Sequence, residues 1–132
     1  MKKKIVITGG EGRFAQVLKR DNKKLDILYP SKKELNILNI NSINKYLKKN
    51  KPKYLIHAAA LSRPMNIHDK QISKSIDLNI IGTANIVKVC SELKIKLIYF
   101  STGYVYEGKI GNYKEVDPVL PVNNYAWSKL GG

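Results

Sequence analysis

Lys4-Ile5-Val6-Ile7-Thr8-Gly9-Gly10-Glu11-Gly12-Arg13-Phe14-Ala15 is the stretch on which the fold turns. Its first half, Lys4 to Thr8, is a short β-branched run ending in glycine, the pattern of a buried strand. From Arg13 to Arg20 the apolar residues Phe14, Val17 and Leu18 recur at helical spacing. Between the two, Gly9 and Gly12 stand three apart and the small Ala15 follows three later. A glycine first allows a tight turn, a second lets the backbone approach a diphosphate, and a small third residue lets helix and strand pack closely. The N–H groups at the helix start, at Gly12, Arg13 and Phe14, then face the anion along the helix dipole. The same spacing also serves a plain glycine turn, but its place at the first strand–helix junction favours phosphate binding. Glu11 is an awkward neighbour for a diphosphate, and its side chain is expected to point to solvent.

Beyond this turn, apolar runs alternate with helical patterns. Leu25–Tyr29, Leu35–Leu38, Tyr54–Ala60 and Leu97–Phe100 read as further strands, the Leu35–Leu38 run being weaker. Asn41 or Ser42 can cap a helix carrying Ile43, Tyr46 and Leu47. A longer helix places Ile76, Ile80, Thr83, Val87 and Cys90 on one face, and a last helical piece begins near Asn123. Continuous rather than alternating apolar strands, each followed by a helix, specify a parallel sheet covered on both faces. The fold class is therefore α/β, a doubly wound, Rossmann-like three-layer arrangement, with residues 1–132 as one domain.

Composition narrows the function. The chain has 132 residues, 43% hydrophobic and 26% charged, which suits a single globular domain. No apolar run approaches the roughly 18 residues that span a bilayer, and the basic Met1–Lys4 start leads into a strand rather than a signal-peptide core. One cysteine, Cys90, cannot form an internal disulfide and reads as a small core residue, so a cytoplasmic location is the expectation. The net charge of +14 raises nucleic-acid binding. Only Arg13, Arg20 and Arg63 are arginines, however, and the lysines are scattered, so the charge is read as a field attracting anionic small ligands.

Taken together, these segments resemble the extended short-chain dehydrogenases/reductases, whose Gly-x-x-Gly-x-x-Gly/Ala fingerprint reads here as Gly9, Gly12 and Ala15. Four further stretches are similar to that family along nearly the whole chain. His57-Ala58-Ala59-Ala60 resembles the small-residue stretch beneath the cofactor, and His57 itself is given no proton-transfer role. Asn79-Ile80-Ile81-Gly82-Thr83 resembles the Asn-x-x-Gly-Thr element of the central helix. Ser101 to Gly108 resembles the active-site strand end, and Tyr125-Ala126-Trp127-Ser128-Lys129 the Tyr-x-x-x-Lys helix. The resemblance implies a catalytic set of Thr102, Tyr125 and Lys129. It implies cofactor contacts from Gly9, Gly12, Arg13, Phe14, Ser31, Lys32, Asn36, Ile37, Ala58, Ala59, Ala60, Asn79, Tyr125 and Lys129. Asn79 is further expected to support the active-site strand. After the second strand the family's ribose-binding acid is missing, and Ser31-Lys32-Lys33 stands there instead. A hydroxyl and two lysines suit a 2′-phosphate, so NADP is favoured over NAD, unless these are only surface lysines. Asn36-Ile37 stands where the third strand offers Asp-Ile or Asp-Leu to the adenine.

A Tyr-x-x-x-Lys pair alone is weak evidence with eight tyrosines in the chain, and Tyr29 and Lys33 form another. Position separates them, since Tyr125 opens a helix after a strand ending in Ser101-Thr102. Residues four apart share a helix face, so Lys129 can reach toward the Tyr125 hydroxyl, and its ammonium favours the phenolate. Dehydratases of this family follow the active-site Thr with Asp-Glu, and Gly103-Tyr104 disfavours that chemistry. The resemblance is greatest to the dTDP-4-dehydrorhamnose reductase branch. It implies an NAD(P)-dependent reductase of a 4-keto nucleotide-linked sugar, with an epimerase or a non-catalytic NADP-binding regulatory subunit as alternatives. Relatives of that type continue well beyond the catalytic helix. The piece is therefore expected to lack the substrate domain, to bind cofactor weakly or not at all, and to show no useful turnover. The open edge of its last strand invites association, a homodimer being the simplest case.

Overall fold

A computed structural model describes residues 3–132; the Met1-Lys2 end of the basic start lies outside the described residues. Four strands, β1 (Ile5–Thr8), β2 (Ile27–Leu28), β3 (Tyr54–His57) and β4 (Lys96–Tyr99), form one sheet in the order β2-β1-β3-β4. Every pairing is parallel, with Val6 opposite Leu28 and Leu55, and Leu55 opposite Leu97. The connecting helices are α1 (Arg13–Asp21), α2 (Ile40–Asn50) and α5 (Gly82–Glu92), and α6 (Asn124–Gly131) follows β4. Two short helices, α3 (Ile67–Lys70) and α4 (Ile72–Ser75), lie between β3 and a π-helical turn at Ile76–Ile81. This is the expected Rossmann-like arrangement.

The strand alternation decides the core. Val6 and Leu55 project to the side where α2 and α5 supply Ile43, Leu47, Ile86, Val89 and Cys90, all buried. Each such aliphatic side chain contributes about 1.5–3 kcal/mol by leaving water. The opposite face is less covered among the described residues: Ile98 and Phe100 are 46% and 42% exposed, and Phe14 of α1 packs edge-on against Phe100 at 5.0 Å.

Several sequence expectations are corrected here. Leu35–Leu38 is a turn rather than a strand. Asn36 Oδ1 accepts the Leu38 N–H at 3.0 Å and Ser42 Oγ accepts the Asn36 N–H at 3.1 Å, so side chains satisfy backbone that a ladder would have used. Leu35 and Ile37 still reach the core. The second strand shrinks to Ile27–Leu28, and β3 ends at His57, leaving Ala58–Ala60 as loop. Helix α2 is capped by Asn39, two or three residues before the expected Asn41 or Ser42, and its side chain accepts from the N–H groups of both. The apolar stripe of the long helix is also displaced. Gly82 N–H donates to Asp77 C=O five residues back, which makes a π turn within this stretch. Ser75, Asn79, Ile86 and Val89 are buried together with the expected Thr83 and Cys90, while Ile76 and Val87 are 41% and 44% exposed.

Candidate active site

The chain leaves β1 toward one neighbour and β3 toward the other, so the loops after these adjacent strands diverge and open a crevice at their C-terminal ends. Gly9 sits at φ +69°, a conformation that disfavours any side chain, and a Cβ there would lie 3.1 Å from the Ala59 backbone. Gly12 N–H donates to Gly9 C=O at 2.8 Å and closes the turn. Gly12 then caps α1 with no side chain accepting from the helix's first N–H groups. A cavity of about 570 Å³ lies against this turn, lined by Gly9, Gly12, Arg13, Phe14, Ala58, Ala60 and Arg63 among others. Two guanidinium-bearing residues, an uncapped helix start and bare glycine backbone fit a diphosphate. A second cavity of about 250 Å³ continues past Gly9 and Gly12 to Lys32, Asn36, Ile37 and Ala59.

The sequence reading missed Gly10. It is buried, and a Cβ there would stand 2.6–2.7 Å from the backbone of Tyr29 and Pro30. Gly10 therefore lets the glycine turn press against the loop after β2. Its signal was in the sequence as a second consecutive glycine. Glu11 also differs from expectation. Its side chain is exposed, yet its carboxylate accepts the Lys32 N–H at 3.2 Å instead of pointing freely to solvent. Ser31 is likewise engaged: its N–H and its hydroxyl both donate to Glu34, at 2.8 and 2.9 Å.

Beneath the cleft runs a buried chain of hydrogen bonds. Thr8 Oγ1 accepts from the Ala58 and Ala59 N–H groups, both at 3.1 Å, and donates to His57 Nδ1 at 2.7 Å. Counting donors fixes the imidazole tautomer, with the proton on Nε2 and facing Thr83 Oγ1 at 3.1 Å. Thr83 in turn donates to Asn79 C=O at 2.8 Å. Burial, together with the nearby Lys129 charge, pushes His57 down to about 4 and keeps it neutral. Asn79 extends the network. Its amide donates to Leu61 C=O and Ser128 Oγ and its carbonyl accepts the Leu61 N–H. Ser128 donates to Tyr125 C=O. Asn79 is fully buried and its polar atoms are spent on protein, so it buttresses the helix that bears Tyr125 rather than facing the cleft.

The other site residues come from β4 onward. Thr102 caps the 3-10 turn Gly103–Val105, its Oγ1 accepting the Tyr104 N–H at 3.3 Å, which leaves its own O–H to donate. Tyr125 lies in the first turn of α6, capped by Asn123 through the Ala126 N–H at 2.8 Å. The Tyr125 ring rests between His68, at 5.0 Å, and the edge-on ring of Tyr104, at 6.4 Å. Lys129, one turn later, is buried, and its Nζ sits 4.1 Å from the Tyr99 ring centroid. Desolvation brings its ammonium down to about 8. His68 is a second residue the sequence reading passed over. It is buried against Ser75 Oγ, with Nε2 unpartnered among the described residues. Its only sequence signal was histidine in a polar segment.

Residues 2–132 match the family described as RmlD substrate binding domain. The chain is 28% identical to dTDP-4-dehydrorhamnose reductase of Aggregatibacter actinomycetemcomitans, covering 98% of this chain and 45% of that protein. It is 30% identical over 103 residues to methionine adenosyltransferase 2 subunit beta of Pongo abelii, covering 78% of this chain and 30% of that one. Among solved structures, dTDP-4-dehydrorhamnose reductase of Bacillus anthracis in complex with NADP superposes with a TM-score of 0.90 at 29% identity, over 99% of this chain and 47% of that one. The chain thus spans less than half the length of these relatives. Among the described residues no helix is long and apolar enough to cross a membrane.

Proposed function

The chain belongs to the RmlD substrate binding domain family, within the extended short-chain dehydrogenases/reductases, and from that footing we propose that it is the dinucleotide-binding part of an NAD(P)-dependent reductase of a 4-keto nucleotide-linked sugar. The observation that carries the proposal is continuity. The glycine turn with Arg13 and Arg63 opens onto the Ala58–Ala60 loop. The same β-strand ends lead through the buried His57–Thr83–Asn79 network to the helix bearing Tyr125 and Lys129.

A bound nicotinamide supplies the hydride. The chain's own residues handle the oxygen and the charge. Thr102, whose Oγ1 already accepts an amide, offers its O–H to the sugar's carbonyl oxygen. The Tyr125 hydroxyl gives that oxygen its proton as the adjacent carbon is reduced, so C=O becomes CH–OH. The Lys129 ammonium favours the phenolate left behind, and its depressed value keeps its own proton exchangeable near neutrality. Asn123 and Ser128 hold the first turn of α6, and with it the Tyr125 backbone.

The test, run on the full-length protein, is a titration with NADH and NADPH followed by nicotinamide fluorescence, then turnover with a dTDP-linked 4-keto sugar. The expected result is dinucleotide binding that is abolished in Gly10→Val, and oxidation of the reduced cofactor that is lost in Tyr125→Phe. The likeness to proteins named as a beta subunit of methionine adenosyltransferase supports a second reading, a dinucleotide-binding subunit without turnover. Binding without sugar-dependent oxidation in an otherwise intact protein would favour it.

A further inference from the structure

We infer that Glu11 replaces the acid missing after the second strand, and that it sets the dinucleotide preference toward NAD(H) and against the 2′-phosphate of NADP(H). The inference rests on the dinucleotide reading above. The segment Ser31-Lys32-Lys33 carries no acid, and its hydroxyl and lysines suggest a phosphate site. The geometry gives those groups other partners. A phosphate at this loop needs fixed donors, and the Ser31 N–H, the Ser31 hydroxyl and the Lys32 N–H are three that the loop itself holds in place. Glu34 takes the first two at 2.8 and 2.9 Å, in a Ser-x-x-Glu capping arrangement, and Glu11 takes the third at 3.2 Å.

Two carboxylates therefore flank the peptide where a 2′-phosphate would sit. Hydrogen bonds from the Ser31 amide and hydroxyl hold the Glu34 carboxyl below the usual carboxylate range, so it is ionised at neutral pH. Glu11 and Lys32 line both the cavity that continues from Gly9 and Gly12 and the neighbouring one formed with Ser31, Lys33 and Asn36. A carboxylate at that junction accepts hydrogen bonds from a ribose diol and repels a phosphate dianion. Lys32 and Lys33 carry the opposite charge, but on long, exposed stems that are mobile and well hydrated. The fixed donors decide the site, and both carboxylates occupy them.

The experiment compares NADH and NADPH affinity by fluorescence titration in the native protein and in Glu11→Gln. That substitution keeps the size of an exposed side chain, and a thermal melt verifies the fold. The native protein is expected to bind NADH more tightly, and Glu11→Gln to shift the affinity ratio about tenfold toward NADPH, as removal of one charge close to a phosphate implies. A native preference for NADPH with a ratio unchanged in Glu11→Gln overturns the inference alone. Binding of neither dinucleotide by the native protein overturns the dinucleotide reading together with it.

Discussion

Replacing Lys129 with methionine should make the protein more stable at neutral pH while removing its chemistry. Lys129 is 5% exposed, and burial lowers its ammonium from 10.5 to about 8. A lysine that titrates lower when folded carries a penalty for its charge. That penalty is fully present below pH 8 and disappears as pH rises from about 8 to 10.5, because only the unfolded chain still holds the proton there. A shift of that size corresponds to about 3 kcal/mol. The ammonium recovers part of it over the Tyr99 ring, 4.1 Å away, where a desolvated cation–π contact is worth about 1–2 kcal/mol. Methionine matches the length of the buried stem without the charge. Lys129→Met should therefore gain about 1–2 kcal/mol at pH 7, seen as roughly 3–6 °C in Tm. The assay is a pair of thermal melts, at pH 7 and pH 10.5. The gain should be present at the first and absent at the second. A variant no more stable than the parent at pH 7, or with a difference that ignores pH, would refute the reasoning.

Three further outcomes follow from the same structure. His57 is held neutral with its value lowered from 6.5 to about 4, so the unfolded chain takes up a proton first as pH falls. Stability should drop by up to about 3 kcal/mol between pH 6.5 and 4, and denaturant titrations of His57→Gln should show that slope flattened. Gly10→Ala places a Cβ 2.6 Å from the backbone of Tyr29 and Pro30; it should cost about 2–3 kcal/mol by the same titrations and weaken dinucleotide binding. Asn79→Leu leaves the Leu61 peptide and the Ser128 hydroxyl without their side-chain partner. It should cost about 3 kcal/mol in denaturant titrations and lower turnover more than it raises KM, because it loosens the helix of Tyr125 rather than the cofactor cleft.

The parts of the fold written in local pattern were legible. The β-branched Ile5–Thr8 run, the glycine turn and the order of strands and helices each follow from a few adjacent residues. The grouping of Thr102 with Tyr125 and Lys129 rests on resemblance alone, since the Tyr-x-x-x-Lys spacing is shared by Tyr29 and Lys33. What failed depended on partners distant in sequence or on backbone hydrogen bonds that leave no mark in composition. Ser75 and Asn79 hold buried places in the long helix that no apolar stripe marks, because their partners His68, Leu61 and Ser128 lie elsewhere in the chain. The Leu35–Leu38 run lost its strand because Asn36 and Ser42 outcompeted a ladder for its amides. That Glu34 takes the Ser31 amide and hydroxyl, and Glu11 the Lys32 amide, also left no mark in the sequence, since those carboxylates are three and 21 residues away. The roles of Gly10 and His68 appear only once β2 and α6 are packed beside them.

The network beneath the cleft has a polarity of its own. Thr8 Oγ1 receives two backbone amides, so its lone pairs are full and its hydrogen can go only to His57. Each later link inherits that direction, through Nε2 to Thr83 and on to Asn79 C=O. Relaying a proton along the line would require every link to reverse, and the first cannot reverse without displacing one of the two amides that Thr8 Oγ1 holds. The floor of the cleft is therefore an insulator, and the imidazole in it is a spacer rather than a shuttle.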